Sequence, residues 1–349
     1  MTTANVTASN PVYDLGAHPD TLLEVDGLQV EFRTDAGVVK AVNGVTYDVR
    51  KGETVAILGE SGSGKSVSAQ AIMGIIDSPP GFVTAGELRY RGEDLLTMSD
   101  EHRQRIRGAK ISMIFQDALS SLNPVFTIGW QLSEMYRVHE DMSKREARTR
   151  SIDLLQRVGI SSPKQRVNQY PHEFSGGMRQ RAMIAMAIAL NPEIVIADEP
   201  TTALDVTVQA QIMELLADLQ DDYGMAMVLI THDLGVVAEV ADRVNVMYAG
   251  RIVEHGSTLE VFGRPSHPYT VGLMQSIPRA DLKGVKLTPI VGSPPDLANL
   301  PGGCSFHPRC RFRHANCFDV EPTVVRVRGI ERYAECHYTD EVWEEDVSV

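Results

Sequence analysis

The chain has 349 residues, 43% of them hydrophobic, and a formal net charge of −13 at pH 7. That length leaves room for two domains around ordinary cores. The acidic balance excludes broad nucleic-acid binding, which needs a basic face to neutralise phosphates. Residues 1–20 are polar and lack the apolar stretch of a secretory signal, so a flexible tail is expected there. The longest helical apolar run, Ala182 to Leu190, falls well short of the roughly 20 residues a bilayer requires.

Residues 21 to 57 read as strands, with Leu23, Val25, Leu28, Val30 and Phe32 alternating and turns at Asp26-Gly27 and Asp35-Ala36-Gly37. Thr54 to Leu58 is a short buried strand, Lys65 onward is helical, and Lys110 to Phe115 is another strand that leads to Gln116. From about 117 to 178 the chain turns polar and helical, with Ile152, Leu155 and Val158 on one face, which predicts a helical subdomain inserted in an α/β core. A helix over Gly177 to Leu190 and a strand over Glu193 to Ala197 follow. Next come a helix facing inward through Val208, Ile212, Leu215, Leu216 and Leu219, a strand over Ala226 to Thr231, and further β structure over Arg243 to His255. Alternating β and α segments predict a mainly parallel sheet covered on both faces. From about Gly263 prolines punctuate an aperiodic segment that carries all four cysteines. The expected domains are therefore a tail over 1–20, an α/β domain over 21–262 and an extension over 263–349.

Three motifs carry chemistry. Gly59-Glu60-Ser61-Gly62-Ser63-Gly64-Lys65-Ser66, with Val67 after it, satisfies the P-loop pattern between a strand and a helix. Its glycines let amide N–H groups face phosphates, Lys65 adds a point charge, and Ser66 offers a hydroxyl to Mg²⁺. Ile194 to Asp198 is an apolar strand ending in Asp198 and Glu199, placed to hold Mg²⁺ and to polarise an attacking water. Ser175-Gly176-Gly177 opens a helix and makes a second anion site. One copy of each implies that a site is completed by a partner's other half.

In this order the motifs resemble the ATP-binding cassette (ABC) ATPases, P-loop NTPases, from about residue 22 to 262. The resemblance implies that Gln116 senses Mg²⁺ and a membrane subunit, and that Ser175, Gly176 and Gly177 meet the γ-phosphate held by the opposite protomer. It further implies that Ala203-Leu204-Asp205 is the D-loop and that His232 contacts the γ-phosphate. Phe32 matches the adenine-stacking aromatic, with a core position on its strand as the alternative. Phe174 and Met178 replace the Leu and Gln usual in the signature, which leaves contacts through that Gln in doubt. The short stretch from Lys65 to Ser175 leaves no room for the long coiled coil of repair-type relatives, and the single P-loop argues against the two-cassette translation factors. Asp117 to Pro124, His267-Pro268-Tyr269-Thr270 and Gly303 to Cys310 are similar to the oligopeptide/dipeptide (and nickel) importer ATPases, to about residue 338. That resemblance implies ATP-driven dimer closure at the cytoplasmic face of the membrane and a second, non-identical ATPase. It also implies two permeases, an extracytoplasmic binding protein, and a groove at the helical subdomain and Gln116 for a permease coupling helix. Nickel is the alternative solute to peptides. A soluble ABC ATPase with a redox-sensing tail is the alternative function.

Cys304, Cys310, Cys317 and Cys336 are spaced C-x₅-C-x₆-C-x₁₈-C. Zinc ribbons favour closer pairs, although His307, His314 and His337 are available; reduced structural thiols are a third reading. Four thiolates suit a [4Fe–4S] cluster, and the family resemblance implies the same.

Overall fold

The structure, a computed structural model, describes residues 18–35, 37–202, 204–276, 289–329 and 331–344. Most of the expected N-terminal tail, Ala203 of the expected D-loop and part of the extension lie outside the described residues.

Two sheets share the core. Strands β1 (Thr21–Thr34), β2 (Gly37–Arg50), β4 (Gly81–Tyr90) and β5 (Glu93–Asp94) form an antiparallel sheet in the order β2-β1-β4-β5. The second sheet has eight strands, ordered β11-β12-β10-β9-β3-β8-β7-β6. These are β3 (Thr54–Leu58), β6 (Ile111–Ile114), β7 (Ile194–Asp198), β8 (Ala226–Thr231), β9 (Arg243–Tyr248), β10 (Arg251–Ser257), β11 (Val324–Arg326) and β12 (Tyr333–Glu335). From β9 to β6 its neighbours run parallel, and every residue of β3, β7 and β8 is buried, as strands covered on both faces must be. Beyond β9 it turns antiparallel through β10, β12 and β11. The mainly parallel sheet expected from the sequence is thus the centre of a mixed one, beside a separate antiparallel sheet. Strand β4 was not expected because its burial runs BiieeeeBiB, without period-2 alternation.

The helices are α1 (Lys65–Met73), α2 (Asp100–Ile106), α3 (Ala118–Ser121), α4 (Ile128–His139), α5 (Lys144–Arg157), α6 (Pro163–Arg166), α7 (Gly176–Ile188), α8 (Val206–Tyr223), α9 (Leu234–Val240), α10 (Thr258–Gly263), α11 (Pro268–Gln275) and α12 (Thr339–Glu344). Side-chain caps set several starts: Thr127 for α4, a Ser143–Glu146 capping box for α5, and Asp205 for α8, which Gly224 ends in the left-handed conformation. Helices α3 to α6 occupy the expected helical subdomain. They bury Leu122, Leu132, Tyr136 and Leu155 in one cluster with α7 and β7.

The described residues of the extension share the core of the sheet. Tyr269, Met274 and Phe306 pack with Leu58, Val246 and Tyr248 of the sheet, and β12 pairs with β10. Glu254 of β10 and Arg332 pin this junction: Arg332 Nη2 donates to Glu254 Oε1 (2.9 Å), and the two side chains are 1% and 0% exposed. The carboxylate also accepts from the amides of Ser266 (2.7 Å) and His267 (3.0 Å). Removing one partner of such a pair strands a buried charge. Arg332→Ala is therefore expected to lower stability by about 3–5 kcal/mol, read as a shift in the urea midpoint, and Glu254→Leu added to it should recover part of the loss.

Candidate functional site

Strand β3 delivers the chain to the phosphate loop at the centre of the sheet. Gly59 has no room for a side chain, since a Cβ there would lie 2.2 Å from the Met247 carbonyl oxygen. Gly64 has φ +103° and the same close approach, 2.2 Å, to the Ala41 carbonyl oxygen. Helix α1 begins with no side-chain cap and no acid in its first turn, so its free amides face the loop.

Lys65 folds back across the loop. Its Nζ donates to the carbonyl oxygens of Gly59 (2.8 Å) and Glu60 (2.9 Å), and burial holds its ammonium below the ordinary lysine range. Ser66 Oγ donates to Asp198 Oδ1 (2.9 Å). Asp198 closes β7 and is buried; burial pushes its carboxyl above the usual range, against the Ser66 bond that lowers it. A buried carboxylate touching a hydroxyl beside a phosphate loop fits a hard divalent cation.

Glu199 follows with φ +45°, a strained conformation for a glutamate. Its carboxylate gathers the other polar residues: Gln116 Nε2 donates to Oε2 (3.2 Å), Thr202 Oγ1 donates to the same oxygen (2.8 Å), and His232 Nδ1 lies 3.4 Å from Oε1. A cleft of about 730 Å³ joins these groups; it is lined by Glu60, Ser61, Gly62, Gly64, Lys65, Ser66, Val67, Gln116, Glu199 and His232, and also by Ala41, Pro294 and Leu297.

Not every expected residue reaches this cleft. Phe32 is not among the lining residues; it packs against the core beneath the antiparallel sheet, its ring 2.9 Å from where a Cβ on Gly81 would stand. Ser175, Gly176 and Gly177 do not line it either. Ser175 is an exposed N-cap that accepts from the Met178 amide (3.4 Å), and Asp205 is an exposed N-cap of α8. Sequence reasoning missed Pro294, Leu297 and Thr202, which no local motif marks.

The four cysteines are free, and Cys304 and Cys310 pack on the same apolar cluster. Burial pushes up three of the thiols, Cys304 to about 11 and Cys310 and Cys336 to about 12, and neighbouring cysteines add to the rise. Among the described residues no group of three or more His, Cys, Asp or Glu side chains is arranged to hold a metal ion. The candidate histidines are engaged elsewhere: His307 Nδ1 with the Cys304 carbonyl (2.9 Å), His314 Nε2 with Glu341 (2.9 Å), and His337 Nε2 with the Val320 carbonyl (3.0 Å).

Residues 42–202 match the ABC transporter family, and residues 253–317 match the C-terminal region of oligopeptide/dipeptide transporters. The chain is 53% identical over 307 residues to the oligopeptide transport ATP-binding protein OppD of Bacillus subtilis (strain 168), covering 88% of this chain and 86% of that protein. It is 48% identical over 317 residues to the dipeptide transport ATP-binding protein DppD of Escherichia coli (strain K12), covering 91% and 96%. Among solved structures, the dimeric post-hydrolysis ATP-binding cassette MJ0796 with ADP and Pi superposes with a TM-score of 0.61 at 28% identity, over 68% of this chain and 99% of that one.

Two of the three loop glycines, Gly62 and Gly64, make distinct demands. Gly62 has φ +79° with nothing within 4 Å, so Gly62→Ala should cost about 1 kcal/mol of backbone strain. Gly64→Ala must also displace the Ala41 carbonyl and should cost about 3 kcal/mol, both read by urea unfolding of the nucleotide-free protein.

Proposed function

The chain belongs to the ATP-binding proteins of the oligopeptide/dipeptide ABC transporters, and from that premise we propose that it is the ATP-hydrolysing subunit that powers uptake of dipeptides or oligopeptides across the cell membrane. The observation that carries this reading is a site in two halves. One cleft gathers Lys65, Ser66, Gln116, Glu199 and His232, with Asp198 on Ser66, while Ser175, Gly176 and Gly177 do not line it and Ser175 and Gly176 are exposed.

In this reading the amides of Gly59 to Ser66 and the start of α1 bind the phosphates of ATP, and Lys65 leaves the Gly59 and Glu60 carbonyls to meet them. Ser66 and Asp198 would hold Mg²⁺, with Gln116 at its edge; the ion supplies charge neutralisation between the phosphates. Glu199 orients and polarises the attacking water, and His232 contacts the γ-phosphate. Ser175, Gly176 and Gly177 of one protomer close on the nucleotide of the other, beside Asp205, so that binding shuts the dimer and hydrolysis reopens it. Phe32 packs against the core beside Gly81, which favours its core role over an adenine contact.

The partners follow from the same premise: two integral-membrane permeases, an extracytoplasmic binding protein and a second ATPase, which we propose is non-identical. No helix of the described residues is long and apolar enough to cross a membrane, which suits a peripheral subunit at the cytoplasmic face. Phe115, Leu119, Val125 and Phe126 are exposed near Gln116, and Phe126 stacks on the half-exposed Trp130 with ring centroids 3.8 Å apart. These apolar groups support docking of a permease helix at that surface. We propose residues 21–262 as the cassette and 263–349 as its extension. Cys304, Cys310, Cys317 and Cys336 remain candidates to hold a [4Fe–4S] cluster, which would cross-link the extension. Cys304, Cys310 and Cys317 all act on the Cys336 thiol, a nearness that supports this reading, while among the described residues no three or more His, Cys, Asp or Glu side chains are arranged to hold a metal ion.

Two measurements test these statements. Glu199→Gln should retain ATP binding while lowering hydrolysis and peptide uptake at least about a hundredfold; unaffected uptake would sink the transport reading. Protein purified without oxygen should contain about four iron and four sulfide per chain, lost on Cys310→Ser with Cys317→Ser; zinc or no metal would remove the cluster.

A further inference from the structure

The extension reaches back to the phosphate loop and grips it at one residue. Arg309 ends the 3₁₀ turn His307–Arg309, and its side chain is only 5% exposed. Its guanidinium forks onto Glu60, the second residue of the loop: Nη1 to Oε2 at 2.6 Å and Nη2 to Oε1 at 3.0 Å. Nε donates to the Val291 carbonyl (3.2 Å), and the guanidinium stands 5.8 Å from the Tyr248 ring centroid. The main chain of Glu60 is held from the same side, because its amide donates to Tyr269 Oη (2.9 Å). Its carbonyl accepts from Lys65 Nζ (2.9 Å). Tyr269 is fully buried against Tyr248 and Phe306, so the anchor is rigid.

A carboxylate on a phosphate loop is an electrostatic liability. Glu60 lines the same cleft as Lys65 and Ser66, where a polyphosphate would bring further negative charge. A planar arginine fork neutralises that carboxylate and fixes its direction in a way that a point charge cannot. Pro294 and Leu297, also from the extension, wall the cleft beside it.

We propose that Arg309 is a positioning residue of the nucleotide site: by neutralising and orienting Glu60 it sets the phosphate loop for ATP, so the extension is part of the ATP-binding machinery. This rests on the reading that the cleft takes ATP. The role is distinct from folding of the extension because it acts through one carboxylate, and removing that carboxylate's charge should relieve the loss.

The test measures the affinity of the full chain for a fluorescent ATP analogue and the KM and kcat of its ATPase. Arg309→Ala should weaken nucleotide binding and raise KM by about tenfold or more, the scale of a lost charge-assisted bond, with kcat changed less than about twofold. Arg309→Lys, the milder variant, keeps the charge without the fork and should fall between. Adding Glu60→Gln to Arg309→Ala should restore most of the affinity. Lys65-dependent binding that is indifferent to both Arg309 variants would overturn the inference, as would a loss that Glu60→Gln does not relieve. A wild-type chain whose nucleotide binding does not depend on Lys65 would overturn the proposed function, and this inference with it.

Discussion

Parallel register is the constraint on which the site depends. Strand β8 pairs with β3 on one side and β7 on the other, with Leu58 opposite Thr231 and Asp198 opposite Ile230. All three strands therefore end along one edge, and what each releases there is polar: the phosphate loop after Leu58, Glu199 after Asp198, and His232 after Thr231. The side chains need no long reach to meet. A slip of one residue between β7 and β8 would turn Asp198 to the opposite face of the sheet, so the fully apolar strands around it are as necessary to the chemistry as the carboxylate.

Charge then organises what register assembles. The polar groups of the site satisfy one another: Lys65 on two loop carbonyls, Ser66 on Asp198, and Gln116, Thr202 and His232 around Glu199. In the function proposed above, nucleotide binding is therefore an exchange of hydrogen bonds rather than the filling of unsatisfied ones. The net gain is smaller than the count of phosphate contacts suggests. Gln116 and His232 stand on opposite oxygens of one carboxylate, so a change in that carboxylate's surroundings is felt by both.

Much of this was legible in the sequence because the informative features are local. The phosphate loop lies between a buried strand and a helix within a few positions, Asp198-Glu199 directly ends an apolar run, and Ser175 caps the helix it begins. The helical subdomain was readable from its amphipathic period. The parts that escaped are long-range. Strand β4 shows no alternation because its middle is exposed. Arg309 and Glu60 are 249 positions apart, and an arginine in a proline-rich stretch carries no sign of its destination. Phe32 was readable as a strand residue, but which side of the sheet its ring would serve depends on Gly81, whose lack of a side chain makes the space.

The antiparallel end of the large sheet has a consequence for how the protein is made. Strand β10 exposes a hydrogen-bonding edge until β12 covers it, and open edges are templates for pairing with other chains. Glu254 waits for Arg332, 78 positions later. During synthesis from the N-terminus, a further 78 positions must therefore follow Glu254 before that carboxylate can find its cation and β12 can close the sheet. Until then the edge of β10 is the part of the sheet open to pairing, and its cover is supplied by the extension rather than by the cassette itself.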